Sequence, residues 1–511
     1  MDLMTAVSLA GALFVTLLAV TFGYFVILLL LVHAKYDHLP GPKRTSFFFG
    51  NALEIAKATR SPVSAEPDAS KISSYELFYK WFEEYGDTYV MFLMHNTLTM
   101  TRNRAILKTI LTATDPKAFP KSEKLKARYI YGVRCMGDGL ATAVDHDVWY
   151  VHRKIMDPMF HRNHLQLATD AFNSTGDSFL KSLQKCVESG ETCQLAQLLH
   201  YATLDVIMKT MFSFDTSDLD SEFHKASVHF IKEFFVAMQL VFIPTAEYNP
   251  LFSNHRKSVR NTITSFRDRG AQIIKARKSA ICNNEDVPND FLTTILKAHL
   301  DPSTGYDFET LVDEFITMIV AGMETSANTL AFIFMELGRR PDLYERLTAE
   351  VDDAIGQKAF ISNEDISKLK FTAMLIKESL RKYAIAPAII RNCAKETTVD
   401  GIRLPADSNI VLHILGANND KKFIEDAEVF NPDRFNPQND ERVPVYSFLS
   451  FSLGARNCVG QVFAQMEMKV MLAKFAQHYN LILDESETFQ MGQTGTLHPL
   501  NGVKCRIVNR H

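Results

Sequence analysis

The 511-residue chain is 47% apolar and 22% charged, with 55 basic against 59 acidic residues and a formal charge of -4. Length at roughly 150 residues per domain allows several domains or one large one, the apolar share allows a large core, and the lack of a basic excess or basic run argues against a nucleic-acid partner. Seven cysteines, at 135, 186, 193, 282, 393, 458 and 505, are odd in number and lack CxxC or finger spacing, which fits reduced thiols and excludes a zinc or disulfide scaffold.

The first element is the uncharged run Ala6 to Val32, longer than the roughly 20 residues that cross a bilayer. Only Asp2 is charged before it, whereas Lys35, Lys43 and Arg44 follow, so the positive-inside rule places the body in the cytosol. No small-residue cleavage site follows and no Arg precedes Arg44, which argues against a secretory signal and a mitochondrial presequence. Residues 1–34 are therefore expected to be an uncleaved membrane anchor. Residues 35–50, containing LPGP (Leu39 to Pro42), form a stiff proline hinge; residues 51–511 form the body.

SPVSAEPDAS (61–70) reads as loop, and YVMFLMHNTLTMT (89–101) as a hairpin turning at His95 and Asn96. Trp149 and Arg153 stand at i and i+4 of an amphipathic helix pattern. The apolar stretch 234–252 fits either an access lid that dips into a membrane or a core helix followed by a loop. ICNNEDVPND (281–290) and DPSTGYD (301–307) separate helices, after which Phe315, Ile316, Ile319, Val320, Leu330 and Phe334 keep helical periodicity. Inside that pattern AGMETS places the acid Glu324 beside the alcohol Thr325, after small Ala321 and Gly322, and an acid–alcohol pair can relay protons. Glu378 and Arg381 stand one above the other at i and i+3. VDGIRL turns at Asp400-Gly401 as a type I′ hairpin. With no internal repeat, the expected class is mainly α with small β-sheets.

FSLGARNCVG (Phe451 to Gly460) leads into another helical pattern. Gly454 and Gly460 let the backbone approach a flat ligand, Arg456 supplies a cation, and Cys458 lies near a helix N-terminus that favours a thiolate. Such a cysteine is a metal ligand or a nucleophile.

The pattern F-x-x-G-x-R-x-C-x-G resembles the haem-binding signature of the cytochrome P450 family, and the resemblance runs from about Tyr36 to the end. It implies the P450 fold and haem b (iron protoporphyrin IX) with Cys458 as axial thiolate. By the same resemblance Phe451 packs beside the sulfur, while Arg456, Arg391 and the Trp149–Arg153 pair hold the haem propionates. Glu324 and Thr325 become the catalytic proton relay to O2. Glu378, Arg381 and Arg434, the last from FNPDRF, become a buried structural trio. Ala321 stands where some members carry a Glu that esterifies haem, so no covalent link is implied. The stretches YDHLPGP (36–42), 321–356 and 451–483 look most like the cholesterol 24-hydroxylase branch, with departures at Met323 and at 384–390, both expected to border the substrate space.

The implied activity is hydroxylation of an unactivated C–H bond of a lipid, a sterol first and a fatty acid as the alternative. No G-x-G-x-x-G module occurs, so NADPH-cytochrome P450 reductase is the expected electron donor. The implied setting is the endoplasmic reticulum membrane, with one N-terminal anchor among the membrane lipids and the catalytic body facing the cytosol. A non-catalytic haem sensor is a different-class reading, which the presence of Glu324 and Thr325 disfavours. An isomerase or dehydratase that rearranges peroxides is a third, and it would need no reductase.

Overall fold

Acidic caps mark where several helices begin: Asp145, Asp290 and Asp307 each accept backbone N–H groups from the first turn that follows. These are donors that a helix start otherwise leaves unpaired. The computed structural model of the chain describes residues 3–58, 73–123, 127–161, 165, 168–215, 221–240, 248–439 and 443–510. The loop expected at 61–70 and the middle of the 234–252 stretch lie outside these residues.

In chain order, the elements that frame the site are helix α1 (Leu3–Tyr36), strands β1 (Thr88–Leu93) and β2 (Asn96–Thr101), and helices α2 (His146–Met156), α3 (Leu195–Phe212), α4 (Phe308–Arg339) and α5 (Lys370–Tyr383). Strands β3 (Ile389–Cys393) and β4 (Ser408–Leu412), helix α6 (Gln461–His478) and the hairpin strands β5 (Met491–Thr494) and β6 (Thr496–Pro499) complete the frame. The fold is mainly helical with small sheets, as expected.

Helix α4 runs through the core, and all six of its periodic apolar residues named above are buried. Gly322 faces α3, where a Cβ would overlap Ile207. Its small size therefore lets two helices approach instead of opening space for a ligand. Met323 is fully buried and its carbonyl accepts the Thr203 hydroxyl at 3.0 Å, so it packs against α3 and does not border a substrate space.

The largest sheet has the order β1-β2-β4-β3, with β2 and β4 parallel. Arg391 lies in it opposite Ile410. The β1–β2 hairpin turns one residue earlier than expected, because Leu93 pairs with Asn96 and leaves Met94 (φ 57°) and His95 at the tip. Strand β1 is buried from Thr88 through Leu93, and the turn begins where that cover ends. The second hairpin turns where expected, with Asp400 at φ 53° and Gly401 at φ 75°, the two positive values that a type I′ turn requires.

Helix α1 is exposed along most of its length and is long and apolar enough to cross a membrane. Helix α4 passes the same length test, but it is largely buried and is a core helix. The last turns of α1 are docked on the body. Leu29, His33 and Tyr36 are buried, and the His33 ring meets Phe47 and Phe92 edge-on at 5.3 and 5.2 Å. The 35–50 segment is likewise fastened down: the Val90 N–H donates to the Pro40 carbonyl at 2.8 Å, and Asn51 Nδ2 donates to the carbonyls of Pro42 and Lys43. The segment read as a stiff proline hinge lies as a strap along β1.

Truncation separates the two parts of α1. Removing residues 3–28 should release the protein from membranes without detergent and lower its thermal melt only slightly, since it removes just the outer ring contacts of Phe22 and Phe25 with Phe48 and His95. Removing residues through Tyr36 also strips the docked Leu29 and Tyr36, and should lower stability by about 3–6 kcal/mol at 1.5–3 kcal/mol per large apolar side chain. Sedimentation and melting of the two truncations check both outcomes.

Candidate active site

The cysteine loop takes its position from an ion pair on α5. Glu378 and Arg381 are both fully buried, and Arg381 Nε and Nη2 donate to the two carboxylate oxygens at 2.8 and 2.7 Å. The other guanidinium hydrogens reach the carbonyls of Asn418 and Ala427 and the Asn419 side-chain oxygen at 2.9–3.1 Å. Arg434 Nε lies 3.6 Å from the same carboxylate, and its Nη atoms donate to the Glu425 and Asp426 carbonyls. The trio read from the sequence is thus assembled. Asn418 carries the restraint onward: its Oδ1 accepts the Leu449 N–H and its Nδ2 donates to Ser450 Oγ, which donates to the Leu380 carbonyl at 2.6 Å.

Within the loop, the Phe451 carbonyl accepts the Cys458 N–H at 2.9 Å and the Gly454 carbonyl accepts the Asn457 N–H at 3.1 Å. Gly454 has φ 75°, and a Cβ there would overlap the Leu111 carbonyl oxygen. Neighbouring backbone, not a flat ligand, demands glycine at 454. Cys458 is accessible but sits in a recess. Burial pushes its thiol up, partly offset by the Gly460 N–H and the charge of Arg153.

Arg153 and Trp149 part company. Arg153 donates to the Asn457 carbonyl at 2.7 Å and to Asn457 Oδ1 at 3.1 Å, while its Nε donates to Asp157 at 2.6 Å. It braces the residue before Cys458 and pairs with Asp157 one turn on, which engages three of its five N–H groups. Trp149 is buried beneath the Arg456 guanidinium, 4.1 Å from its ring centre.

Arg456 Nη1 donates to the Ala143 carbonyl at 2.9 Å, and Arg391, buried in β3, donates to the carbonyl of Ile390. A third cation, Lys121, joins them and donates to the Ala141 carbonyl. Burial pushes Arg391 down to about 10. Burial, together with Arg391, does the same to Arg456, and burial with both arginines pushes Lys121 well below its ordinary value. Among the described residues no carboxylate forms an ion pair with any of the three. Crowded cations of this kind are costly until an anionic group reaches them, and a ligand with two carboxylates suits the cluster.

On α4, Ala321 is exposed and Thr325 half-exposed, and the Thr325 hydroxyl donates to the Ala321 carbonyl at 2.8 Å. Glu324 faces α3 and β6 instead. Its Oε1 accepts from the Thr496 hydroxyl at 2.8 Å and from Asn328 Nδ2 at 2.9 Å, and its Oε2 lies 3.1 Å from His200 Nε2. Burial alone would raise the carboxyl, but His200, Thr496 and nearby His498 outweigh it and hold it at about 2. Ionised at neutral pH, Glu324 can pass a proton on but does not store one. Asn328, at i+4 from Glu324, was legible as a helix-surface partner. Lys121, His200 and Thr496 carry no local signal and are brought in by tertiary packing.

Arg381→Ala leaves the Glu378 carboxylate buried without its partner and should cost about 3–5 kcal/mol. Arg403→Ala, in an exposed pair with Glu396, should cost less than about 1 kcal/mol. Denaturant midpoints of the two variants check the contrast.

Residues 40–504 match the cytochrome P450 family. The chain is 28% identical to the probable cytochrome P450 4ac1 of Drosophila melanogaster, over 94% of this chain and 91% of that protein. It is 29% identical to cytochrome P450 4A12B of Mus musculus, over 74% of this chain and 75% of that protein, and 25% identical to cytochrome P450 3A11 of the same species, over 93% and 92%. None of these bears the name of the cholesterol 24-hydroxylase branch, so they support the family and not that branch. On a family match that spans most of the chain, the protein belongs to the cytochrome P450 family and is a haem-thiolate monooxygenase.

Proposed function

We propose that the protein hydroxylates an unactivated C–H bond of a membrane-borne lipid, with Cys458 as the axial ligand of haem b. The Cys458 loop carries this reading: an accessible thiol, held by its own N–H to the Phe451 carbonyl, beside a cluster of cations that no carboxylate among the described residues pairs. The residues present fit haem. Lys121, Arg391 and Arg456 would hold its two propionates, which would relieve the repulsion among the three. When bound, a thiolate-ligated haem supplies the activation of O2.

The chain's own part is to hold, exclude and deliver. Arg153 fixes Asn457, and with it the direction of the sulfur. Ala321, without a long side chain, leaves room on the exposed side of α4. The Thr325 hydroxyl, one turn on, lies against the Ala321 carbonyl, and Glu324 is the group that passes a proton toward it. A lipid substrate is supported by α1, since an enzyme tethered in a bilayer meets apolar substrates there. A sterol is the first candidate, from the stretches that resemble the cholesterol 24-hydroxylase branch, and a fatty acid is the second. Electrons come from a separate NADPH-cytochrome P450 reductase, with the body on the cytosolic side of the endoplasmic reticulum, as Lys35, Lys43 and Arg44 after the apolar run indicate.

Incubation with NADPH, the reductase and a panel of sterols and fatty acids should give a product heavier by one oxygen, detected by mass spectrometry. NADPH dependence separates this reading from a peroxide-rearranging enzyme, and absence of product from every lipid would remove it. Cys458→Ser should abolish the red-shifted ferrous–CO band of thiolate haem, while Cys393→Ser and Cys505→Ser should keep it. A band that survived in the Cys458 variant would overturn the ligand assignment.

A further inference from the structure

We propose that His200 supplies the proton that Glu324 passes on, so that the relay is loaded from α3 and not from within α4. The inference rests on the relay reading above and names its source.

Hydrogen-bond chemistry at the pair carries it. His200 Nδ1 lies 2.7 Å from the Ala196 carbonyl oxygen, which can only accept, so Nδ1 bears a hydrogen. The other ring nitrogen, Nε2, lies 3.1 Å from Glu324 Oε2. A neutral imidazole facing an ionised carboxylate would set two acceptors against each other. The contact therefore holds one further proton, shared between the ring and the carboxyl. The second carboxylate oxygen receives the Thr496 hydroxyl and the Asn328 amide, both donors that favour the ionised form, so the proton resides on His200.

Among the described residues one other titratable group faces the pair, His498 on β6, whose imidazole is pushed down by burial. Burial would lower His200 as well, but the Glu324 charge reverses this and raises it. The His200 side chain is 17% exposed against 9% for Glu324, so the imidazole is the more open end of the pair.

The step is a proton transfer with no electron transfer. The His200 Nε2–H bond breaks and its electron pair stays on the ring, an O–H bond forms on Glu324 Oε2, and both groups become neutral. A neutral carboxylic acid has lost the charge attraction that holds it toward α3 and is free to give its proton on the Thr325 side. His200 Nε2 is then reprotonated from water. Only a group that exchanges its proton near neutral pH can do this, whereas a lysine at position 200 would keep the ion pair and retain its proton.

The test uses the full-length, haem-loaded protein with reductase, NADPH and the lipid that the panel identifies. Product and peroxide per NADPH are measured from about pH 6 to 8, the range in which histidine titrates, for wild type, His200→Gln, His200→Lys and Thr325→Ala; the ferrous–CO band reports intact folding. Histidine NMR on 15N-labelled protein, with His200 assigned by its loss in His200→Gln, follows the ring directly. His200 should titrate above the ordinary histidine value. Because a raised group holds its proton below that point, wild-type coupling should fall as pH rises through it. Both position-200 variants should lose coupling severalfold and lose this pH dependence. Restored coupling in His200→Lys would show that charge pairing alone matters and would overturn the proposal, as would a His200 that titrates at or below the ordinary value. Uncoupling by Thr325→Ala without uncoupling by His200→Gln would reject His200 as the source and leave the relay standing. Full coupling in all three variants would reject the relay and the proposal together.

Discussion

The buried Glu378–Arg381 pair uses every guanidinium hydrogen, two on the carboxylate and three on oxygens of the segment around Asn418, Asn419 and Ala427. Desolvation offsets much of the attraction within such a pair, so its net stability is modest even though losing one partner is severe. Its larger effect is on geometry. A planar fork with five fixed donors specifies where each acceptor must lie, and one of those acceptors belongs to Asn418, whose side chain then holds Leu449 and Ser450. Cys458 stands at the end of this chain of restraints, far from α5 in sequence.

Charge is distributed in two opposite ways around the cysteine. On one side Lys121, Arg391 and Arg456 are pushed toward their neutral forms by burial, and Lys121 and Arg456 by neighbouring cations as well, an arrangement suited to an anionic ligand. On the other, the Glu324 carboxylate is surrounded by donors and is held ionised. The first arrangement binds a group that arrives, and the second keeps a group in readiness.

What is local in sequence was legible. The Asp400-Gly401 turn, the apolar periodicity of α4, the Glu-x-x-Arg spacing and the cysteine loop each depend on a few consecutive residues whose backbone preferences agree with the fold. What depends on partners from distant segments was not. Arg153 could be placed on its helix, but the acceptors that claim it come from Asp157 and Asn457. Gly322 and Gly454 were recognisable as sites of close approach, yet the atoms approached are Ile207 and the Leu111 carbonyl. Lys121 and His200 have no motif around them, and their roles exist only once three or more elements have packed. The β1–β2 turn differs by one residue because burial of the whole of β1, and not the local turn preference of Asn96, sets where the chain leaves the sheet.

The edge-on stacking of His33 against Phe47 and Phe92 joins α1 to the sheet that carries Arg391. If α1 lies across a bilayer, helix and body then turn as one rotor, and the viscous drag on the immersed helix governs how fast the whole molecule spins about the membrane normal. The tilt of the body toward the lipid surface becomes a property of ring packing in place of tether length. An electron donor anchored in the same membrane would then meet the body through two-dimensional search and slow rotation, because this chain does not tumble freely beneath a flexible leash.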